Sequence, residues 1–280
     1  MKKTITIARA TAKEAMRQPI FFVLLFVAIA LLLIFPLVPY NTFGEDVKMV
    51  KDTGLQAILI SSLLMALLTA SSGIADEIEG RTAITLLSKP VTRRQFIVGK
   101  FVGIILVVLT MFLVLGALFC LVIIYKVGYD ARESARVPPD YLARLPEVYQ
   151  ILPGLVLAYF EVIVLGSVSV AISTRLPMLV NLVVCLALFV LGHLTPILVQ
   201  VSEGQFEAVG FMARLFATVF PQLEVFNVHN SIATGLMIPL DYVFMSFLYC
   251  VLYCVLALLG AFILFEDRDL ARCTVTDCYV

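Results

Sequence analysis

The sequence predicts an all-α membrane protein, with six transmembrane helices following an N-terminal amphipathic interfacial helix and a short cytoplasmic helix in one loop. Three observations point to this class. The 280 residues are 61% hydrophobic and only 14% charged, against roughly 45–50% apolar and about 25% charged in soluble domains. Six apolar runs approach or exceed the roughly 20 residues a helix needs to cross hydrocarbon with every backbone amide bonded internally. Charge is almost absent from those runs, Glu161 being the one formally charged residue inside them. Formal net charge is zero, so global charge suggests no nucleic-acid partner and no acidic substrate; the bilayer is the expected partner.

Residues 1–19 come first. Arg9, Lys13 and Arg17 recur every fourth residue, while Ile5, Ala8, Ala12, Ala15 and Met16 fall largely on the opposite side. That is the pattern of a basic helix lying at a membrane surface. The apolar run from Ile20 is too long for a signal-peptide core, and no small-residue cleavage pattern follows Val38, so it is expected to be the first span. The six expected spans are Ile20–Val38, Leu55–Ala75, Phe101–Tyr125, Ile151–Ile172, Met178–Val199 and Tyr242–Phe265. Phe206–Phe220 is shorter and split by Glu207 and Arg214, so it reads as interfacial or re-entrant within an outer region 200–241. No internal repeat is visible, and 1–280 reads as one transmembrane domain.

Orientation follows from the placement of Lys and Arg. With both termini cytoplasmic, the inner segments hold Lys2, Lys3, Arg9, Lys13, Arg17, Arg81, Lys89, Arg93, Arg94, Lys100, Arg175, Arg268 and Arg272. The outer segments are longer and hold fewer: Lys48, Lys51, Lys126, Arg132, Arg136, Arg144 and Arg214. The positive-inside rule therefore puts both termini in the cytoplasm of a cell membrane, the bacterial cytoplasmic membrane being expected. The six cysteines lie in apolar runs or in the C-terminal tail, without His or carboxylate companions at zinc-like spacing, so neither a disulfide framework nor a metal site is expected.

The most informative stretch is the cytoplasmic loop 76–100. Arg81–Ser88 is long enough for two helical turns with Ala83, Ile84 and Leu87 on one face, and Asp76, Glu77 and Glu79 precede it, where a helix N-terminus favours negative charge. Pro90 stops that helix. Thr92 with Gln95 three residues later is a capping-box pattern, so a second helix is expected from Arg93 into the third span.

The order Glu79-Gly80-Arg81-Thr82, then Leu86-Leu87-Ser88-Lys89-Pro90-Val91-Thr92-Arg93, then Gly99-Lys100, resembles the loop between the second and third spans of ABC type-2 export permeases. The basic N-terminal helix ending Arg17-Gln18-Pro19 and the exit Phe265-Glu266-Asp267-Arg268-Asp269-Leu270 are similar to that family as well. The resemblance implies a permease dimer, homo- or heteromeric, each chain docking this loop on a separate ABC ATPase subunit. Glu79, Arg81, Thr82, Leu86, Leu87, Pro90 and Arg93 are then the ATPase-coupling residues. No G-x-x-x-x-G-K-[ST] phosphate loop is present, since the Gly that would have to precede Gly99-Lys100 is replaced by Arg94. The chain is thus expected to be no enzyme and to hold no cofactor or metal, with ATP and Mg bound by the partner. The alternative for this loop is a merely charged connection anchoring topology, which leaves its apolar helical face unexplained.

Glu161 lies near the middle of the fourth span, where a carboxylate costs at least a few kcal/mol unless neutralised, paired or hydrated. It must face the bundle interior, and His193 in the fifth span is a possible partner, with Asn181 and Tyr159 weaker ones. Two readings stand open: a packing carboxylate, and a proton relay. Gly99-x-x-x-Gly103, Thr69–Ala75 and Gly166-Ser167 with Ala171 allow close helix contacts, within or between subunits. Phe211–Pro221 and Gly235–Pro239 resemble the family's outer re-entrant region, which closes the exit of the pathway; an interfacial helix is the alternative. The rival function is a secondary transporter or channel using Glu161 and His193 for ion coupling. It leads one to expect several intramembrane charges and repeated halves, neither of which occurs. The cargo does not follow from these residues.

Overall fold

The computed structural model describes residues 2–37, 46–79, 92–133, 141–202, 211 and 221–266. Helix α1 is Lys2–Arg17 and α2 is Pro19–Ile34, prolonged by a 3-10 turn Phe35–Leu37. Then follow α3 (Asp46–Glu79), α4 (Arg93–Glu133), α5 (Tyr141–Ser173) and α6 (Met178–Ser202). A 3-10 turn (Leu223–Phe226), short α7 (His229–Ala233) and α8 (Leu240–Glu266) complete the described chain, which contains no strand. Among the described residues, six helices are long and apolar enough to cross a membrane: Pro19–Leu37, Asp46–Gly73, Arg94–Arg132, Arg144–Ser173, Met178–Thr195 and Leu240–Leu264. The molecule is an all-α membrane protein.

Burial divides the spans into two groups. In α3, α4 and α5, 67%, 50% and 61% of the most apolar stretch is buried, against 17%, 22% and 17% in α2, α6 and α8. The first three pack on one another through Leu55, Leu63, Met65, Met111, Phe119, Leu157 and Leu165 and form the core. The other three lean on its flanks, presenting Phe22, Phe26, Leu179, Val183, Leu252 and Leu256 outward. Such rows of exposed large apolar side chains suit hydrocarbon rather than water, and the helical backbone bonds its own amides as a lipid setting requires.

Hydropathy understates the length of the central helices. Helix α3 starts at Asp46 rather than Leu55, α4 runs on from Tyr125 to Glu133, and α5 starts at Tyr141 rather than Ile151, continuing through Pro146 and Pro153. Charges that the sequence places in outer loops hold these extensions together. Lys126, buried, sits 2.9 Å from Asp130 and 3.5 Å from Asp46. Buried Lys51 pairs with Glu147, and Arg144 donates to the Ile124 carbonyl at 3.3 Å. A lysine can be buried only when its charge is compensated, so these cations join α3, α4 and α5 at the end of the bundle opposite α1.

At the other end, Gln18 adopts an extended conformation (φ −67, ψ 140) and Pro19 opens α2 at a position whose N–H would be unbonded in any case. The chain thereby turns from α1 into the first span. The small face of α1, namely Ala8, Thr11, Ala12 and Ala15, is buried against α4, while Arg9, Lys13 and Arg17 stay exposed. Ile5, which the sequence groups with the apolar side, is 52% exposed.

Candidate functional site

The loop expected to carry coupling lies between the ends of α3 and α4 on the α1 side of the bundle. Of its expected residues, Arg81, Thr82, Leu86, Leu87 and Pro90 lie outside the described residues, as does the expected helix Arg81–Ser88. Glu79 is the last residue of α3 and Arg93 the first of α4, so the loop joins these two helices. The expected capping box is present: Thr92 N–H donates to Gln95 Oε1 and Gln95 N–H to Thr92 Oγ1, each at 3.4 Å. This reciprocal pair satisfies two otherwise unbonded donors and fixes where α4 begins.

Helix α1 braces that start. A Cβ added at Gly99 would stand 2.8 Å from Ile7 Cγ2, and one added at Gly103 would stand 2.7 Å from Thr11 Cβ and 2.9 Å from the Ala8 carbonyl oxygen. The Gly99-x-x-x-Gly103 spacing is therefore a contact within the chain, a groove on α4 that admits the α1 backbone. Beside it, Thr11, Glu14, Gln18, Thr69, Ser72 and buried Lys100 line a polar recess between α1, α3 and α4. Lys100 Nζ lies 5.8 Å from the centre of the Phe96 ring one turn earlier.

Glu161 is fully buried in α5, and neither carboxylate oxygen has a hydrogen-bond partner. The structure brings His193 to it, with Nε2 3.5 Å from Oε1. His193 Nδ1 lies 3.1 Å from the Phe189 carbonyl oxygen, an acceptor, so Nδ1 carries a hydrogen. A neutral ring then turns the bare Nε2 lone pair on the carboxyl group, which repels an ionised carboxylate. The pair is relieved by one proton, held either as imidazolium with carboxylate or as imidazole with carboxylic acid. Either form is neutral overall, which removes most of the cost of a carboxyl group at that depth. The weaker expected partners go elsewhere: Asn181 donates to Ser169 Oγ at 3.0 Å, and the Tyr159 hydroxyl reaches the Ile105 carbonyl at 3.5 Å. Cys250 and Cys254 bond to the Phe160 and Ile163 carbonyls of α5 and stitch α8 to it.

Beyond Glu161, segment 221–235 packs on the end of the bundle, whereas Leu236 and Met237 are exposed. Leu223, Phe226, Val228 and Ile232 are buried, Leu223 against α6 and Ile232 against α5 and α3. Glycines admit them: a Cβ at Gly192 would meet Leu223 Cγ at 2.6 Å, and one at Gly154 would meet Ile232 Cδ1 at 2.2 Å. From α8, the Tyr242 hydroxyl donates to the Val225 carbonyl at 2.7 Å, and the Tyr249 hydroxyl accepts from Gln222 N–H at 3.0 Å. The described part of this region is a plug seated in the end of the bundle opposite α1. The stretch 203–210 and 212–220, where Glu207 and Arg214 fall, lies outside the described residues.

The plug also carries charge that sequence reasoning did not connect with Glu161. Glu224 acts electrostatically on Glu161. His229 Nδ1, buried and without a hydrogen bond, lies 3.9 Å from Asp52 Oδ1 of α3. Burial lowers the affinity of His229 for a proton below that of a free imidazole, and His193 acts in the same sense, while Asp52 and Glu224 oppose them. The sequence signal for the seat of this segment is Gly154 in α5 and Gly192 in α6, which admit Ile232 and Leu223. Among the described residues, no group of three or more His, Cys, Asp or Glu side chains could hold a metal ion.

A family model described as ABC-2 family transporter protein matches residues 5–270, nearly the whole chain. No curated protein matches it.

Proposed function

Since the chain belongs to the ABC-2 transporter family, we propose that it is the permease subunit of an ATP-driven exporter, pairing with a second permease chain and coupling to a separate ABC ATPase through loop 76–100. The observation that carries this reading is the family match across 5–270, which takes in every span together with that loop. The loop's position supports the coupling role. It joins α3 to α4, two of the three most buried spans, so a force applied to it acts directly on the core. The capped start of α4 and the α1 brace on Gly99 and Gly103 stiffen that connection. In this reading Glu79, Arg81, Thr82, Leu86, Leu87, Pro90 and Arg93 meet the ATPase, which binds ATP and Mg, and this chain contributes no catalytic residue. Both termini and the loop lie in the cytoplasm, and the 221–235 plug closes the outer end.

The test is purification of the tagged chain from its own membranes in mild detergent. An ABC ATPase should co-elute, and ATP should drive cargo export in vesicles rebuilt from the two proteins. Recovery of the chain alone, with uphill transport driven by a proton gradient without ATP, would overturn the proposal. That outcome belongs to the second reading, an ion-coupled secondary transporter, which one observation favours: the approach of His193 to Glu161.

A further inference from the structure

We infer that the plug 221–235 is released by protons at the end of the bundle opposite α1, with His229 as the acceptor whose protonation unseats it. As regulation of the proposed permease this role rests on that reading, whereas the unseating itself needs neither ATPase nor cargo to be seen.

The geometry is that of a latch. Helix α7 lies against α3 and α5, anchored by Val228 and Ile232 on either side of His229. The ring is enclosed, its Nδ1 is buried without a hydrogen bond, and the nearest anion, Asp52, stands at 3.9 Å, beyond hydrogen-bonding range. An imidazolium in this seat would carry an extra N–H with no acceptor in reach, a buried donor left unsatisfied. The surrounding charges do not supply one. On α3, Lys51 next to Asp52 is committed to Glu147 of α5. On α6, His193 faces Glu161 of α5 and acts against positive charge on His229. Glu224, in the 3-10 turn, accepts from Asn227 Nδ2 through both carboxylate oxygens at 3.2 Å. From α8, Tyr242 and Tyr249 face the plug but spend their hydroxyls on backbone groups.

The sign follows from linkage. The seated ring binds a proton less readily than a free one, whose ordinary value is 6.5. The contribution of His229 to seating is therefore complete above that value and is lost as pH falls below it, because the unseated plug takes up the proton. Acidification on that face opens the plug, and it does so without moving the buried anchors of α3, α4 and α5, whose cations are already paired.

The experiment uses the full chain in lipid nanodiscs without ATPase. In a background lacking the native cysteines, Val228→Cys reports the buried face of the plug, and Leu236→Cys, exposed in the same segment, supplies the reference for thiol chemistry. The ratio of maleimide labelling at 228 to that at 236 should rise about threefold or more between pH 7.5 and pH 5.5. His229→Gln should abolish the rise, and Asp52→Asn, which removes the nearest counter-charge, should enlarge it. Hydrogen exchange of 221–235 in the unsubstituted chain, corrected for intrinsic rates, should show the same pH dependence and stands in if the cysteine-free background misfolds. A flat ratio with flat exchange, a rise that survives His229→Gln, or protection that increases at low pH and disappears in Asp52→Asn would each overturn the latch. None of these outcomes bears on whether an ABC ATPase co-purifies.

Discussion

Gly103→Ala should detach α1 from α4. The added Cβ would lie 2.7 Å from Thr11 Cβ and 2.9 Å from the Ala8 carbonyl oxygen, whereas carbon atoms in contact settle at about 3.5–4.0 Å. The obstruction includes backbone, so no rotamer change relieves it and the helices must part by roughly 1 Å. A gap of that size forfeits a quarter to a half of the dispersion energy of the contact face. Overpacking of this kind costs about 1–3 kcal/mol, which at about 1.4 kcal/mol per tenfold raises the detached fraction of α1 roughly 5- to 150-fold. The assay is maleimide labelling of Thr11→Cys in the cysteine-free background. Thr11 is buried on the contact face, and the substitution keeps the Cβ that Gly103 meets. Gly260→Ala is the control: nothing lies within 4 Å of a Cβ there, so it should leave labelling unchanged and stabilise α8 by about 0.5–1 kcal/mol. If α1 braces the coupling loop, Gly103→Ala should also lower ATPase recovery on co-purification. Thr11→Cys remaining as protected in Gly103→Ala as in the parent would refute the brace.

Other expectations concern coupling, topology and Glu161. Leu87→Asp, or Glu79→Ala with Arg81→Ala, should weaken ATPase docking and leave membrane insertion intact; full ATPase recovery and transport in both would remove the coupling assignment. Cysteines at Ser134 and Gln205 should react with an impermeant maleimide from outside and one at Ser88 should not, and the reverse pattern would invert the orientation. Glu161→Gln keeps the size of the side chain, and its amide can donate to the bare Nε2 of His193 without a shared proton. ATP-driven transport should therefore persist at a substantial fraction of the parent rate and remain insensitive to protonophores. Loss of uphill transport with passive exchange retained would instead assign Glu161 to ion coupling.

Much of the fold was legible because a bilayer imposes one-dimensional rules. Uninterrupted apolar length identifies a span, and burial of Glu161 follows from its depth in such a run. The start of α4 was equally readable, since a capping box joins residues three apart and needs no distant partner. Even the pairing of Glu161 with His193 was accessible, as no other acidic, basic or histidine side chain lies in the spans expected from the sequence.

What the sequence by itself determined is thus the class, the number of spans and the local signals at their ends. Tertiary structure alone decided which helices form the core, because mean hydropathy does not sort them: 3.2, 2.3 and 2.6 in α2, α6 and α8 against 1.8, 3.1 and 2.3 in α3, α4 and α5. It decided that Gly99 and Gly103 receive α1 rather than a second subunit, and that Lys51 and Lys126 are buried clamps rather than loop charges. It also seated Leu223, Phe226, Val228 and Ile232 against the bundle and brought His229 opposite Asp52. The physical reason is common to all of these: hydropathy and propensity act on neighbours along the chain, whereas packing and charge compensation between helices join residues tens of positions to well over a hundred apart.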